Sequence, residues 1–194
     1  MAATTTTTAI NRVKGYHIRP LQEGDIEAVI LLDQNENPDP WGAKLIRETL
    51  QLSVDTENQS SKNTQAQQRL SWVVEDGSDQ VCGCLIATML LCESELELVL
   101  IAGSDRRQGL AKRLMLIWLE FVQQQAVGLA MLEVRESNVG TISLYKKLGF
   151  VAVGLRKNYY QALANSNTLN KKDLFVRESK EAAILMNLII EPTP

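Results

Sequence analysis

The run Ser104–Lys112 (SDRRQGLAK) sets two arginines, a glutamine and a glycine directly before an apolar helical pattern. A helix start has no use for Arg106 and Arg107, because the positive end of the helix dipole disfavours cations. The unpaired N–H groups of a first helical turn favour negative charge instead. Cations and a permissive glycine at that place read as a cradle for an anion, with phosphate as the working expectation. Farther along, Glu133 lies between Leu132 and Val134. Strand alternation turns both apolar neighbours to one side and leaves the carboxylate on the other. Asn138 and Tyr145 are seven apart, two helical turns, so they share a helix face.

These groups need elements to hold them. Residues 16–21 (YHIRPL) read as a first strand stopped at Pro20. Residues 23–36 repeat apolar side chains at Ile26, Val29, Ile30 and Leu32, which is helical spacing. Residues 37–52 open on prolines and continue as a helix with Leu45, Ile46, Thr49 and Leu50 on its apolar side. Residues 53–68 are polar without periodicity and are expected as a surface insertion. Two strands, 69–76 and 80–92, flank an Asp76-Gly77 hairpin signal, and 95–103 forms a third. An amphipathic helix follows, with Leu110, Leu114, Ile117, Trp118 and Phe121 on one face. Then come a strand at 129–135, a short helix closed by Gly149, a strand at 150–156 and a last strand within 174–190. This order predicts an α/β (α+β) fold, a mixed sheet covered by helices, in a single domain spanning 12–191. The threonine-rich residues 1–11 are expected as a mobile tail.

Composition narrows the function classes. A length of 194 residues suits one packed domain, and 45% hydrophobic with 22% charged residues is ordinary for a soluble protein. A net charge of −3 argues against a nucleic-acid partner. The apolar runs are too short to span a bilayer, so no membrane partner is expected. The first residues lack a secretory pattern, which predicts a cytoplasmic protein. Cys82, Cys84 and Cys92 have neither redox nor zinc spacing, and His17 is the one histidine, so no metal is expected. All three cysteines are expected as small buried hydrophobes.

Four segments together resemble the Gcn5-related N-acetyltransferases (GNAT). They are LVLIAGSDRRQGLAKRLM at 98–115, LEVRESNVGTISLYKKLGF at 132–150, RKNYY at 156–160 and NPDPWGAKLI at 37–46. The last three look like the bacterial ribosomal-protein alanine N-acetyltransferases. The resemblance implies a mostly antiparallel sheet with a V-shaped splay and helices on both faces. It implies acetyl-CoA as cosubstrate, with pantetheine along the backbone of Val99, Leu100 and Ile101. The diphosphate would then sit over Arg107, Gln108, Gly109, Leu110, Ala111 and Lys112. Ala111 stands where many relatives carry glycine. By the same resemblance Glu133 is the general base, Asn138 touches the cofactor, and Tyr145 both contacts the cofactor and protonates the leaving thiolate. Trp41, Tyr159 and Tyr160 would line the acceptor groove.

The acceptor implied is the α-amine of a protein or peptide N-terminus, an alanine-starting small-subunit ribosomal protein in these relatives. An α-amine is partly neutral near pH 7, whereas a lysine has a far smaller neutral fraction, so an N-terminal acceptor needs only a modest base. Two readings stay open beside it: a lysine or small-amine acetyltransferase, and a non-catalytic acyl-CoA sensor. At single residues, Asn138 or Ser137 also suits a helix cap, Tyr145 a core contact and Glu133 an exposed strand position. His17 is expected to be structural. The lengthened segments at 53–68 and 161–173 flank the acceptor side. The protein is expected as a monomer or weak dimer.

Overall fold

The computed structural model describes residues 12–13, 15–58, 67–161 and 180–191. The expected tail at 1–11, residues 59–66 of the polar insertion and residues 162–173 of the second long segment lie outside them. In chain order the elements are β1 (Arg12–Val13), β2 (Tyr16–Pro20), α1 (Ile26–Glu36), α2 (Ala43–Asn58), β3 (Gln68–Glu75), β4 (Val81–Leu90) and β5 (Glu93–Ile101). They continue with α3 (Leu110–Gln124), β6 (Leu129–Arg135), α4 (Val139–Lys147), β7 (Val151–Gln161) and β8 (Lys180–Ile189). The chain divides into two compact units, one of residues 1–130 with 189–194, the other of residues 131–188.

In the first unit β1 to β5 pair antiparallel in sequence order. One sheet face carries Val73, Cys84, Ile86 and Leu98, and packs with Ile26, Val29, Ile30 and Leu32 of α1 and Ile46 and Leu50 of α2. Strand alternation sends Trp72 to the opposite face, where its ring meets Phe121 of α3 edge-on at 5.7 Å. Both faces of this sheet are therefore covered. Two apolar stripes differ from expectation. Leu45 is exposed while Ile46, Thr49 and Leu50 are buried, and α3 buries Met115 and Val122 in place of Ile117 and Phe121, which are half-buried. Trp118 is fully buried, and its indole N–H donates to Ser94 Oγ at 3.0 Å. The Ser94 hydroxyl in turn donates to the Thr88 carbonyl at 2.7 Å, so the large side chain brings a satisfied polar end.

Three expected boundaries move. α2 runs on to Asn58, so the insertion begins later than Ser53. The run 80–92 is not one strand: β4 ends at Leu90 and a tight turn at Leu91 and Cys92 returns the chain as β5, with Leu90 opposite Glu93. Leu91 takes a left-handed φ of 54°, a conformation its side chain does not advertise. That turn leaves Cys92 exposed, which corrects the expectation that all three cysteines are buried. Cys82 and Cys84 are buried, and burial pushes their thiols up to about 11 and about 12.

The second unit contains the end of β6, α4, β7 and β8. β8 lies between β6 and β7 and pairs antiparallel with β7. Ala130, Leu132 and Val134 are buried, as alternation along β6 requires.

At the far edge of the first unit, Arg19 grips Asp25 through two N–H···O bonds of 2.6 and 2.9 Å, and Glu75 Oε1 through Nε at 2.9 Å. His17 joins Glu75 at 3.3 Å, the structural place expected for it. The guanidinium holds both carboxyls below the usual carboxylate range, against the opposing effect of burial. Depressed carboxyls stabilise the fold above their unfolded pKa, near 4, and that stability is lost as pH falls through the folded values. Arg19→Met is therefore expected to cost about 1–2 kcal/mol at pH 7. Urea unfolding at pH 7 and pH 3 checks this, with the wild type and variant converging at the lower pH.

Candidate active site

β5 carries Val99, Leu100 and Ile101 and ends at Ile101. Ile101 is buried, and Val99 and Leu100 are half-buried, with Leu100 packed on the α1–α2 core. A register shift between Ile86 and Ala87 of β4 places Glu97 opposite no residue, a bulge just upstream of these three. The Glu97 carboxylate pairs with Arg69 and accepts from Thr88 Oγ1 at 2.5 Å, so charge and hydroxyl hold the bulge.

Past one short turn at Gly103–Asp105, Arg107 has φ 66° and Gly109 φ 82°. Two left-handed residues around Gln108 bring the chain abruptly into α3. Gly109 is the N-cap and offers no side chain to cap the helix. A Cβ at Gly109 would meet nothing within 4 Å, so its backbone angle, not space, asks for glycine. The first amides of α3, at Leu110, Ala111 and Lys112, are the donors that an intrahelical bond cannot reach. Arg107, Gln108 and Lys112 are exposed around them, so the stretch read in the sequence as an anion cradle has open amides and exposed polar side chains at the start of α3. Leu110 is buried and anchors the helix start.

Arg106 belongs elsewhere. Its Nη2 pairs with Glu36 Oε2 at 2.5 Å, and its Nε donates to the Ile101 carbonyl at 3.1 Å. One of the two cations that drew attention to this stretch is therefore a clamp, while Arg107 is exposed. Trp41 packs half-buried against the α1–α2 core.

In the second unit, Glu133 is not an isolated carboxylate. Its Oε1 pairs with Arg156 Nη2 at 2.9 Å, and the Arg156 guanidinium also lies 4.7 Å from the centre of the Tyr159 ring. Tyr160 packs edge-on against Tyr159 at 4.8 Å and under the Arg135 guanidinium at 4.2 Å. An irregular register between Arg156 and Tyr160, with Asn158 at φ 54°, bends β7 so that both rings meet arginines. Arg135 donates to the Gln161 carbonyl at 2.7 Å and pairs with Glu181 at 3.3 Å. Glu181 accepts from the Ser137 amide as well. Burial would raise its carboxyl, but those donors hold it below the usual range.

Asn138 is the N-cap of α4, and its Oδ1 accepts from the Thr141 amide at 3.3 Å, so the capping role is present. The amide nitrogen of the side chain is left to reach another group. Tyr145 is buried, and burial first, then the neighbouring Tyr160 phenol, push its hydroxyl above the ordinary tyrosine value. α4 closes in a Schellman motif: the Phe150 amide donates to the Tyr145 carbonyl at 3.0 Å and the Gly149 amide to the Lys146 carbonyl at 3.1 Å. Gly149 sits at φ 97° as expected, and the Tyr145 and Phe150 rings meet at 5.9 Å. The helix end thus fixes the tyrosine from both backbone and ring.

Sequence reasoning did not find Glu36, Glu181 or the partnering roles of Arg135 and Arg156. The two arginines stand inside quoted motifs, but their partners are remote in sequence. Among the described residues, no three histidine, cysteine or acidic side chains gather as a metal site, and no helix is long and apolar enough to cross a membrane.

Residues 27–150 match the acetyltransferase (GNAT) family, and the chain belongs to that family. It is an acetyl-CoA-dependent acetyltransferase. Over 143 residues it is 27% identical to the ribosomal protein bS18-alanine N-acetyltransferase of Escherichia coli (strain K12), covering 74% of this chain and 86% of that one. The crystal structure of the ribosomal-protein-S18-alanine N-acetyltransferase from Escherichia coli matches with a TM-score of 0.69 at 24% identity, covering 92% of this chain and 96% of that one. Ard1 from Thermoplasma volcanium matches with a TM-score of 0.69 at 22% identity, covering 91% and 99%. Those two structural likenesses establish the GNAT fold.

At Gly149 an added Cβ would come within 3.2 Å of Leu188 Cδ1, on top of the left-handed backbone. Gly149→Ala is expected to destabilise the protein by about 1–2 kcal/mol, read as a lower urea midpoint at unchanged slope.

Proposed function

We propose that this acetyltransferase transfers the acetyl group to the α-amine of a protein N-terminus, an alanine-starting small-subunit ribosomal protein in particular. The observation that carries the reading is the similarity along 86% of the length of a bS18-alanine N-acetyltransferase. It is supported by Glu133 on β6, Asn138 as the N-cap of α4 and Tyr145 within α4 belonging to one compact unit. The cytoplasm, where Cys82, Cys84 and Cys92 stay reduced, is the compartment that suits it.

In this reading the backbone of Val99 to Ile101 pairs with the pantetheine arm as an added strand would. Amides of Gln108 to Lys112 receive the diphosphate, with Arg107 and Lys112 supplying positive charge. Asn138 keeps its carbonyl on the Thr141 amide and donates from its NH2 to the cofactor. Glu133, with Oε1 turned to Arg156, takes a proton from the incoming amine on Oε2, directly or through a water. The neutral amine nitrogen attacks the thioester carbonyl carbon and the C–N bond forms; the nitrogen then releases its second proton to solvent, the C–S bond breaks, and Tyr145 is reprotonated from solvent after it has served as acid. Tyr145 donates its phenolic proton to the departing thiolate, so the products are an N-acetylated terminus and the free thiol. Tyr159 and Tyr160 would line the acceptor groove.

Thiol release from acetyl-CoA with short peptides tests the acceptor. Free Ala- or Ser-starting peptides are expected to turn over, and blocked peptides carrying one lysine are not. Turnover on the lysine peptides alone overturns the N-terminal assignment, and tight acetyl-CoA binding with silence on every amine points to a sensor. Tyr145→Phe is expected to lower kcat at least about tenfold, within the range of a lost general acid. The raised Tyr145 phenol stays protonated beyond an ordinary tyrosine's range. Activity is therefore expected to rise as the acceptor amine deprotonates near pH ~8 and to show no fall from loss of the acid below pH ~10.

A further inference from the structure

Glu36 and Arg106 have no part in the chemistry above, yet they hold the segment that carries the cradle. Glu36 ends α1, and its Oε1 accepts from the Gly103 amide at 2.8 Å while Oε2 pairs with Arg106. Arg106 reaches back through Nε to the carbonyl of Ile101, the last residue of β5. One carboxylate thus holds Gly103 and Arg106, and through Arg106 the end of β5, to a helix seventy residues earlier in the chain. Tyr16 pins the middle of the same segment through its hydroxyl on Asp105 Oδ1 at 2.8 Å.

The next residue shows why such a tie is needed. Arg107 is neither glycine nor asparagine, yet it holds φ 66°. A bulky residue keeps such a backbone only where its surroundings over-determine it. The clamp ends at Arg106, directly before that strained residue. The Glu36 side chain is 21% exposed against 54% for Arg106, so the carboxylate end is the better shielded and sets the geometry. One turn back on α1, buried Asp33 accepts from Asn37 Nδ2 at 2.7 Å and from the Gly42 amide at 3.3 Å. The last turn of α1 thus holds the cradle segment with one carboxylate and the Trp41 loop with another.

We infer that Glu36 and Arg106 are positioning residues for the diphosphate of acetyl-CoA. Together they set the angle at which the Arg107–Gly109 turn and the first amides of α3 meet the phosphates. Glu36 also commits the Arg106 guanidinium, so that Arg107, and not Arg106, faces the anion. This rests on the cradle being the diphosphate site.

The test compares Glu36→Ala, Arg106→Met and the double variant, with coenzyme A binding read by calorimetry. Each single variant is expected to weaken binding about tenfold, the scale of one lost charge-assisted hydrogen bond, and the double no further than the weaker single. Glu36→Gln, which keeps an acceptor for the Gly103 amide, is expected to fall between wild type and Glu36→Ala. Turnover of S-acetyl-pantetheine, which lacks the diphosphate, is expected to stay within about twofold of wild type, a result that general loosening of the fold would not give. Unchanged coenzyme A affinity in either single variant overturns the inference. So do effects that multiply in the double, or equal losses on S-acetyl-pantetheine. Gly109→Val separates the two levels of the argument. If it leaves coenzyme A affinity unchanged, the cradle reading itself fails. If it weakens binding while the Glu36 and Arg106 variants do not, only their positioning role is lost.

Discussion

The start of α3 has donors and no cap. Most helices satisfy their first amides with a serine, threonine, aspartate or asparagine at the N-cap, and this one presents Gly109 instead. The choice leaves a row of N–H groups open to solvent at the positive end of the helix, which costs stability and favours negative charge there. Much of the first unit follows from holding that site still. Leu110, Leu114 and Trp118 bury the helix against the sheet, the Glu97 bulge fixes the strand that leads to it, and the turn between is tied to α1 and β2.

The second unit solves a different problem, which is how to keep a phenol buried and pointed. A tyrosine on a short helix would wander as the helix end frays. Here the Schellman bonds join the carbonyls of Tyr145 and Lys146 to the amides after the helix, while Asn138 caps the other end. At the same end, Glu181 binds the Ser137 amide and Arg135, so the loop from β6 into α4 is held by charge. Burial then keeps the proton on the hydroxyl, because removing it would leave a charge in an apolar place. The capping and the burial are compatible with the roles proposed for Asn138 and Tyr145.

What could be read from the sequence was local. Gly109 and Gly149 announced their turns because few other residues accept a left-handed backbone, and both lie there. The order of strands and helices was legible from periodicity. The failures have a common physical origin in tertiary override of local preference. Leu91 turns the chain with no glycine or asparagine to signal it, because β4 and β5 gain enough from pairing to impose the angle. Glu36 and Arg106, and likewise Arg135 and Glu181, are joined across long sequence separations, and nothing near either partner names the other. The polar stretch after Leu52 looked like a loop because it lacks an apolar face, yet α2 extends into it.

The same distinction between local and remote determinants bears on the acceptor. A thioester needs only a neutral amine held close, and an α-amine supplies a usable neutral fraction without strong help. A base for that task has to be well aimed more than it has to be strong. The pair of Glu133 with Arg156 gives one carboxylate oxygen a fixed direction and leaves the other outside that pair, as the proposed base would need. Arg156 also faces Tyr159, and Arg135 faces Tyr160, so each ring of the aromatic pair meets a guanidinium, one from β7 and one from β6. A change of acceptor in such a protein therefore need not touch the carboxylate or the phenol. Moving the arginines or the bend in β7 re-aims the rings, and the chemistry stays as it was.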